Sequence, residues 1–195
     1  MQNFGKGIVT DMKKLRIFVD MDGTIENLLD VWVDRLNAAY GMNLEPDDIK
    51  VWDLTVAYKG LTREQVLAPT HDDSIWKDVR PYENAPEVLK RLIDAGHEIY
   101  IVTSTPHTSV RAKMDDLLFR WFPFISWKNV VIADHKQLLK GDLMIDDGVH
   151  NLEGGDYEKF LFDAPYNRSY DAEANGMTRV YNWLEVEEKI KEMLE

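Results

Sequence analysis

The sequence predicts an α/β fold: a doubly wound parallel sheet with a small helical cap inserted after the first strand. Three observations predict it. Short apolar runs recur along the chain, and each ends in polar residues. Helical patterns lie between them. One interval between runs exceeds fifty residues and is itself patterned. Strands alternating with helices imply parallel pairing through crossover helices. In such sheets ligands bind outside the carboxyl ends of the strands. The residues that close each run are therefore the first candidates for function.

The first four runs are Leu15–Val19, ending at Asp20; Glu98–Val102, ending at Thr103; Val130–Ala133, followed by Asp134, His135 and Lys136; and Leu143–Ile145, ending at Asp146. Phe160–Phe162, ending at Asp163, and Arg179–Tyr181 complete the set. Short apolar runs bounded by turn signals read as buried parallel strands. Pro86–Ala95 reads as a helix, because Pro stands near its start and Gly96 just past its end. Ser109–Trp121 is a longer helix closed before Pro123. Asn182–Leu194 is a C-terminal helix, with Trp183, Val186, Ile190 and Leu194 at three-to-four spacing. In the long interval, Val31–Tyr40 reads as a helix ending at Gly41, and Pro46–Trp52 and Arg63–Leu67 are weaker helical candidates. A structureless loop of that length is uncommon in a compact domain. Residues 28–80 are therefore expected to form a cap over the strand ends, and residues 1–27 with 81–195 the core.

A chain of 195 residues suits one such domain with a modest insertion. Hydrophobic residues make up 45% and charged residues 30%, which allows a sizeable core and argues against disorder. There are no cysteines, so disulfides and thiolate metal sites are excluded and a cytoplasmic setting fits. A net charge of -12 argues against polymeric nucleic acid or an anionic membrane as partner. A small phosphate ester is still compatible, because local cations and a metal can reverse the field inside a pocket. No run approaches the roughly 18 apolar residues of a membrane span, and the N-terminus lacks a signal-peptide pattern. The first dozen residues read partly as a tag or a frayed start. A homodimer is compatible with the sequence and not specified by it.

The sharpest signal is Asp20-Met21-Asp22-Gly23-Thr24, directly after the first run. A carboxylate at Asp20 can attack phosphorus and form an aspartyl phosphate, splitting one hard displacement into two. Asp22, two residues on, can protonate the leaving oxygen and later activate water. Gly23 permits a tight turn. At Thr103 and Ser104 a hydroxyl and exposed backbone N–H groups can hold phosphate oxygens. Lys136 can neutralise both the nucleophile and the phosphoryl group. Asp146 and Asp147 would repel one another without a cation, and oxygen-only ligation with open water positions suits magnesium. Singly, each piece has an ordinary reading as a turn, a helix cap or a solvated side chain. Their order at successive strand ends is much more specific than any member.

That order resembles the four-motif pattern of the haloacid-dehalogenase superfamily. Asp146-Asp147-Gly148, the ten-residue step from Lys136 to Asp146, and Leu161-Phe162-Asp163-Ala164-Pro165-Tyr166-Asn167-Arg168 further resemble the 5′(3′)-deoxyribonucleotidases. The similarity runs from about Arg16 to the C-terminal helix and is loosest in the cap. The resemblance implies a magnesium-dependent phosphomonoester hydrolase acting on deoxyribonucleoside monophosphates such as dUMP or dTMP. It implies Asp20 as nucleophile and Asp22 as general acid/base. It further implies magnesium on the Asp20 carboxylate, the Asp22 main-chain carbonyl and Asp146, with Asp147 supporting that shell. Thr103, Ser104 and Lys136 bind phosphate in this reading. The chain departs from the family at two places. Thr24 stands where the family often has Val. A lysine often found a few residues beyond the Thr-Ser pair is replaced near His107, which could offer a hydrogen bond or simply sit exposed in its loop.

The cap is rich in aromatics: Trp32, Tyr40, Trp52, Tyr58 and Trp76, with Tyr82 at its return. An aromatic wall can stack a nucleobase, at about 1–3 kcal/mol per base, or it can fill a small core. The resemblance implies Trp76 and Tyr82 as the base-binding candidates. His71, His97, His135 and His150 show no zinc-ligand spacing. There is no phosphate-binding G-x-x-x-x-G-K-[ST] loop and no G-x-S-x-G elbow. Three alternatives stay open. The same site could act on a sugar phosphate or another small metabolite, it could pass the phosphoryl group to an acceptor other than water, or the chain could be a non-catalytic phosphate-binding module.

Overall fold

The computed structural model describes residues 13–195, so the expectation of a tag or frayed start falls outside the described residues. Six strands form one sheet in the order β3-β2-β1-β4-β5-β6, with every neighbouring pair parallel. They are β1 (Arg16–Asp20), β2 (Glu98–Thr103), β3 (Val130–Ile132), β4 (Leu143–Asp146), β5 (Glu158–Phe162) and β6 (Thr178–Val180). The strand order reverses at β1, which has β2 on one side and β4 on the other. That makes a crevice at the carboxyl edge between them. Register pairs Asp20 with Val102, Val19 with Ile145 and Thr103 with Ile132. Asp20, Thr103 and Asp146 thus leave the sheet along one edge.

Alternation along the strands builds a core on each face. Ile17, Val19, Leu143, Ile145, Phe160 and Phe162 pack on one side, against Val88 and Leu89 of helix Ala85–Asp94 and Trp183, Val186 and Ile190 of helix Trp183–Glu192. Phe18, Met144 and Leu161 face the other side with Leu152, Ala172 and Met177. Asn182 caps the last helix by accepting from the Glu185 N–H, a contact worth about 1 kcal/mol.

The helix expected over Ser109–Trp121 is irregular. Val110–Ala112 and Phe119–Trp121 are α-helical, and Lys113–Leu118 between them is a π-helix. Such segments are rare and recur at functional sites.

Between β1 and helix Ala85–Asp94 lie helices Leu28–Tyr40, Arg63–His71 and Ile75–Asp78. Gly41 ends the first in the left-handed conformation at φ 63°. Leu29, Val33, Leu36, Ile49, Leu54, Tyr58 and Val66 form a hydrophobic cluster of their own. Pro46–Trp52 is not a helix. Only Pro46–Asp48 turns, because Asp48 folds back to accept from the Glu45 N–H and Ile49 then takes an extended conformation. Among the described residues, no helix is long and apolar enough to cross a membrane.

Candidate active site

Asp20 is buried at the end of β1. The Lys136 ammonium bonds Asp20 Oδ1 and lies 2.7 Å from Asp146 Oδ2 at the end of β4. Asp146 Oδ1 accepts from the Gly148 N–H at 2.7 Å and from Asn151 Nδ2 at 2.9 Å, which fixes its orientation. Asp147 accepts from Thr24 Oγ1 at 3.3 Å and from the Tyr166 hydroxyl. Its main-chain carbonyl accepts from Asn167 Nδ2 at 2.9 Å, and Asn167 is in turn held by Arg179 at 2.8 Å. Oxygens of Asp20, Asp146 and Asp147 all lie within 4.8 Å of one another.

Crowding these acids out of water disfavours their charge. Burial pushes the Asp20 carboxyl up to about 7, with Lys136 pulling the other way. Burial, then the neighbouring Asp20 and Asp146, push Asp147 well above the usual carboxylate range. Burial works against the Lys136 ammonium too, but Asp146 and Asp20 outweigh it and keep the lysine charged.

A second buried lysine completes the site. Lys113 Nζ bonds Asp22 Oδ2, lies 2.8 Å from Thr103 Oγ1, and sits 4.9 Å from the ring centroid of Trp76. Lys113 is fully buried at the start of the π-helical stretch. Beneath Asp22 lies Glu26, also fully buried. Burial and the adjacent Asp22 raise Glu26 far above its ordinary value, so it holds a proton. Burial opposes ionisation of Asp22, but Lys113 and a hydrogen bond from Glu26 prevail and lower it. Asp22 Oδ1 and both Glu26 oxygens are buried with no hydrogen-bond partner among the described residues, a need that a proton on Glu26 directed at Asp22 would meet.

Sequence reasoning missed Lys113, Glu26, Tyr166 and Asn151 as site residues. Lys113 looks like a solvated lysine on a regular helix, and nothing in the sequence marks the π stretch. Tyr166 and Asn167 fall in the motif that carries the family resemblance, where no role attached to them. The site does not lack a second ammonium near His107: Lys113 supplies it, while His107 is exposed.

Two adjoining cavities open over these groups. One, of about 370 Å³, is bordered by Asp20, Asp22, Lys113, Lys136, Ser104 and Trp76. The other, of about 440 Å³, runs from Asp22 and Gly23 beneath Trp32, Trp52, Leu54 and Val66. Ser104 borders both, with its hydroxyl bonded to Asp134. Trp76 is brought to the site. Tyr82 is not: its N–H is tied to the Ile25 carbonyl at 3.1 Å. Its ring packs on Phe162 at 5.4 Å and lines a separate cavity with Trp183. Tyr58 belongs to the core of the insertion.

The acid set fits a hard divalent cation. With Glu26 protonated, Asp20, Asp22, Asp146 and Asp147 face two ammoniums, and a dication balances the remainder with all-oxygen ligation.

A doubly wound sheet that presents an acid pair, Thr-Ser, Lys and a second acid pair at its carboxyl edge defines a phosphatase of the haloacid-dehalogenase superfamily. Solved structures share this fold. A haloacid-dehalogenase-family hydrolase from Deinococcus radiodurans R1, with bound phosphate and sodium, superposes with a TM-score of 0.63 at 15% identity, covering 93% of this chain and 97% of that one. A haloacid dehalogenase-like protein from Agrobacterium tumefaciens gives 0.62 at 12%, covering 94% and 100%. Sequence comparison is more specific. Residues 13–194 match the family model described as 5′ nucleotidase, deoxy (pyrimidine), cytosolic type C protein, and the chain belongs to that family. A 5′(3′)-deoxyribonucleotidase of Bacillus subtilis (strain 168) is 38% identical over 182 residues, covering 92% of this chain and 99% of the relative. One from Clostridium acetobutylicum is 32% identical over 189 residues, covering 94% and 100%.

Proposed function

We propose that the protein hydrolyses deoxyribonucleoside monophosphates of the dUMP or dTMP kind, through an aspartyl phosphate on Asp20 and with magnesium as cofactor. One observation carries this reading: the Asp20–Lys136 pair and the Lys113-held Asp22 border the same cavity, and an apolar, tryptophan-walled cavity continues from Asp22. Phosphate chemistry and an apolar leaving group thus have adjacent places. Family membership supports the substrate class.

In this reading residues 28–80 are the cap and the larger cavity takes the nucleoside. Trp32 Nε1 donates to the Val66 carbonyl at 2.7 Å, so its ring serves as a fixed apolar wall. Trp52, Trp32 and Trp76 replace the expected Trp76–Tyr82 pair as base-contacting candidates. The Asp20 carboxylate attacks phosphorus as the ester P–O bond breaks, and Asp22 delivers a proton to the leaving oxygen. Water then attacks the aspartyl phosphate, loses its proton to Asp22, and frees phosphate and Asp20. Glu26 keeps a proton against Asp22, where the first half-reaction needs one. Thr103, Ser104 and Lys136 hold the phosphoryl oxygens, and Lys113 fixes Asp22. Magnesium would be held by the Asp20 carboxylate, the Asp22 main-chain carbonyl and Asp146, with Asp147 behind, and would neutralise the charge gathered at the phosphoryl group.

The test is phosphate release from a panel of dNMPs, NMPs and sugar phosphates, with magnesium and with EDTA, beside Asp20→Asn. Magnesium-dependent release from dUMP or dTMP that vanishes in Asp20→Asn is expected. Release from sugar phosphates alone would discard the substrate and keep the chemistry. No release from any ester would overturn the reading.

A further inference from the structure

Trp52 lies in the insertion and is half exposed, yet it is held edge-on against two loops of the core. Its ring centroid is 5.3 Å from that of Tyr166 at an interplanar angle of 84°, and 4.9 Å from that of His150 at 62°. Tyr166 donates its hydroxyl to Asp147 Oδ2. His150 precedes Asn151, whose amide orients Asp146. One indole thus leans on the neighbours of two of the three clustered acids. It also borders both cavities. Gly23 adds a constraint. A Cβ built there would stand 2.8 Å from Asp147 Oδ2 and 2.9 Å from the Tyr166 hydroxyl, so the motif glycine leaves room for this pair.

We propose that Trp52 and Tyr166 are positioning residues that couple the leaving-group cavity to the metal-holding acids. The nucleoside settles against Trp52, Trp52 fixes the Tyr166 ring, and the Tyr166 hydroxyl sets the direction of Asp147. Coupling of this kind is reciprocal: whatever a bound nucleoside adds to metal affinity, the metal adds to nucleoside affinity. The proposal rests on the reading of the larger cavity as the nucleoside site.

The experiment is calorimetric titration of magnesium into the full chain, with and without thymidine. Thymidine carries no phosphate, so it cannot tighten the metal by ligating it. Wild type, Trp52→Leu, Tyr166→Phe and the double variant form a cycle. Each single variant is expected to weaken magnesium binding about five- to tenfold, with the double no weaker than the worse single, and thymidine to tighten binding about fivefold in wild type only. Trp52 is half exposed, so Trp52→Leu should unfold near wild type; Tyr166→Phe takes a donor from buried Asp147 and should unfold somewhat lower, so every titration is run well below the unfolding midpoints. Magnesium affinities within twofold of wild type in both single variants, or strictly multiplicative losses in the double, would overturn the coupling. If thymidine gives no binding heat in wild type, the substrate reading falls, while the variant cycle measured without nucleoside still decides whether Trp52 acts on the acids.

Discussion

Replacing Lys136 by Met tests the electrostatic account of the site most directly. The substitution keeps an unbranched side chain of similar length and removes one charge from between Asp20 and Asp146. Lys136 is 2% exposed and its partners Asp20 and Asp146 are 7% and 0% exposed, so water can replace the ammonium only from the cavity side. Removing one partner from a buried pair costs about 3–5 kcal/mol. For a domain of this size each kcal/mol moves the midpoint by about 2–4 °C, giving a loss of roughly 6–20 °C. The loss must depend on pH. Lys136 holds Asp20 down, so without it the carboxyl rises above about 7; the charge-dependent part of the loss is small at pH 5, where the acid is protonated with or without the lysine, and grows as pH climbs past 7. Magnesium should restore much of it. The assay is thermal unfolding by circular dichroism at both pH values, with EDTA and with millimolar magnesium. A midpoint at pH 8 within about 3 °C of wild type in EDTA, or an equal loss at both pH values, would refute the reasoning.

Three further outcomes follow from the same geometry. In EDTA the wild type should lose stability as pH rises. Asp20 is raised in the folded state from 3.8 to about 7, so its contribution is full below the unfolded value and is lost as pH climbs through about 7; Asp20→Asn should flatten that part of the unfolding profile. Lys113→Met removes the chief group holding Asp22 down, so the acid limb of the kcat profile should move to higher pH, read from initial rates across the acid and neutral range. Glu26→Gln is isosteric and neutral like the protonated acid, so unfolding should change little; it cannot pass a proton to Asp22, so kcat should fall by about tenfold to a hundredfold, measured by phosphate release.

The sheet was legible because strands of a parallel sheet are covered on both faces, so each reads as a continuous apolar run. The acids at the ends of β1 and β4 were legible because a polar residue closing such a run has one place to go, the carboxyl edge. Other features depend on contacts between distant segments. Which aromatic faces the cavity is one of them. Trp52 and Tyr82 look alike in sequence, and only the backbone tie of Tyr82 to Ile25 turns its ring toward Phe162. Pro46–Trp52 carried a helical pattern that a local turn through Asp48 overrode. Glu26 sits between Ile25 and Asn27 with the look of an ordinary loop acid, and no local signal shows that Asp22 will lie against it.

The π-helical stretch lets one rod satisfy two phase requirements. In a regular α-helix each residue advances about 100°, so Leu118 would point roughly 140° away from Lys113. Closing the turn at five residues instead of four brings both to the inner side, and Lys113, Met114, Leu117 and Leu118 are all buried. The ammonium is thereby aimed at Asp22 while Leu118 and Phe122 keep their places in the core. Loss of a single residue from this stretch would relax it to ordinary helix and break one of the two alignments. The length of residues 113–118, as much as their identity, is therefore a functional property of the chain.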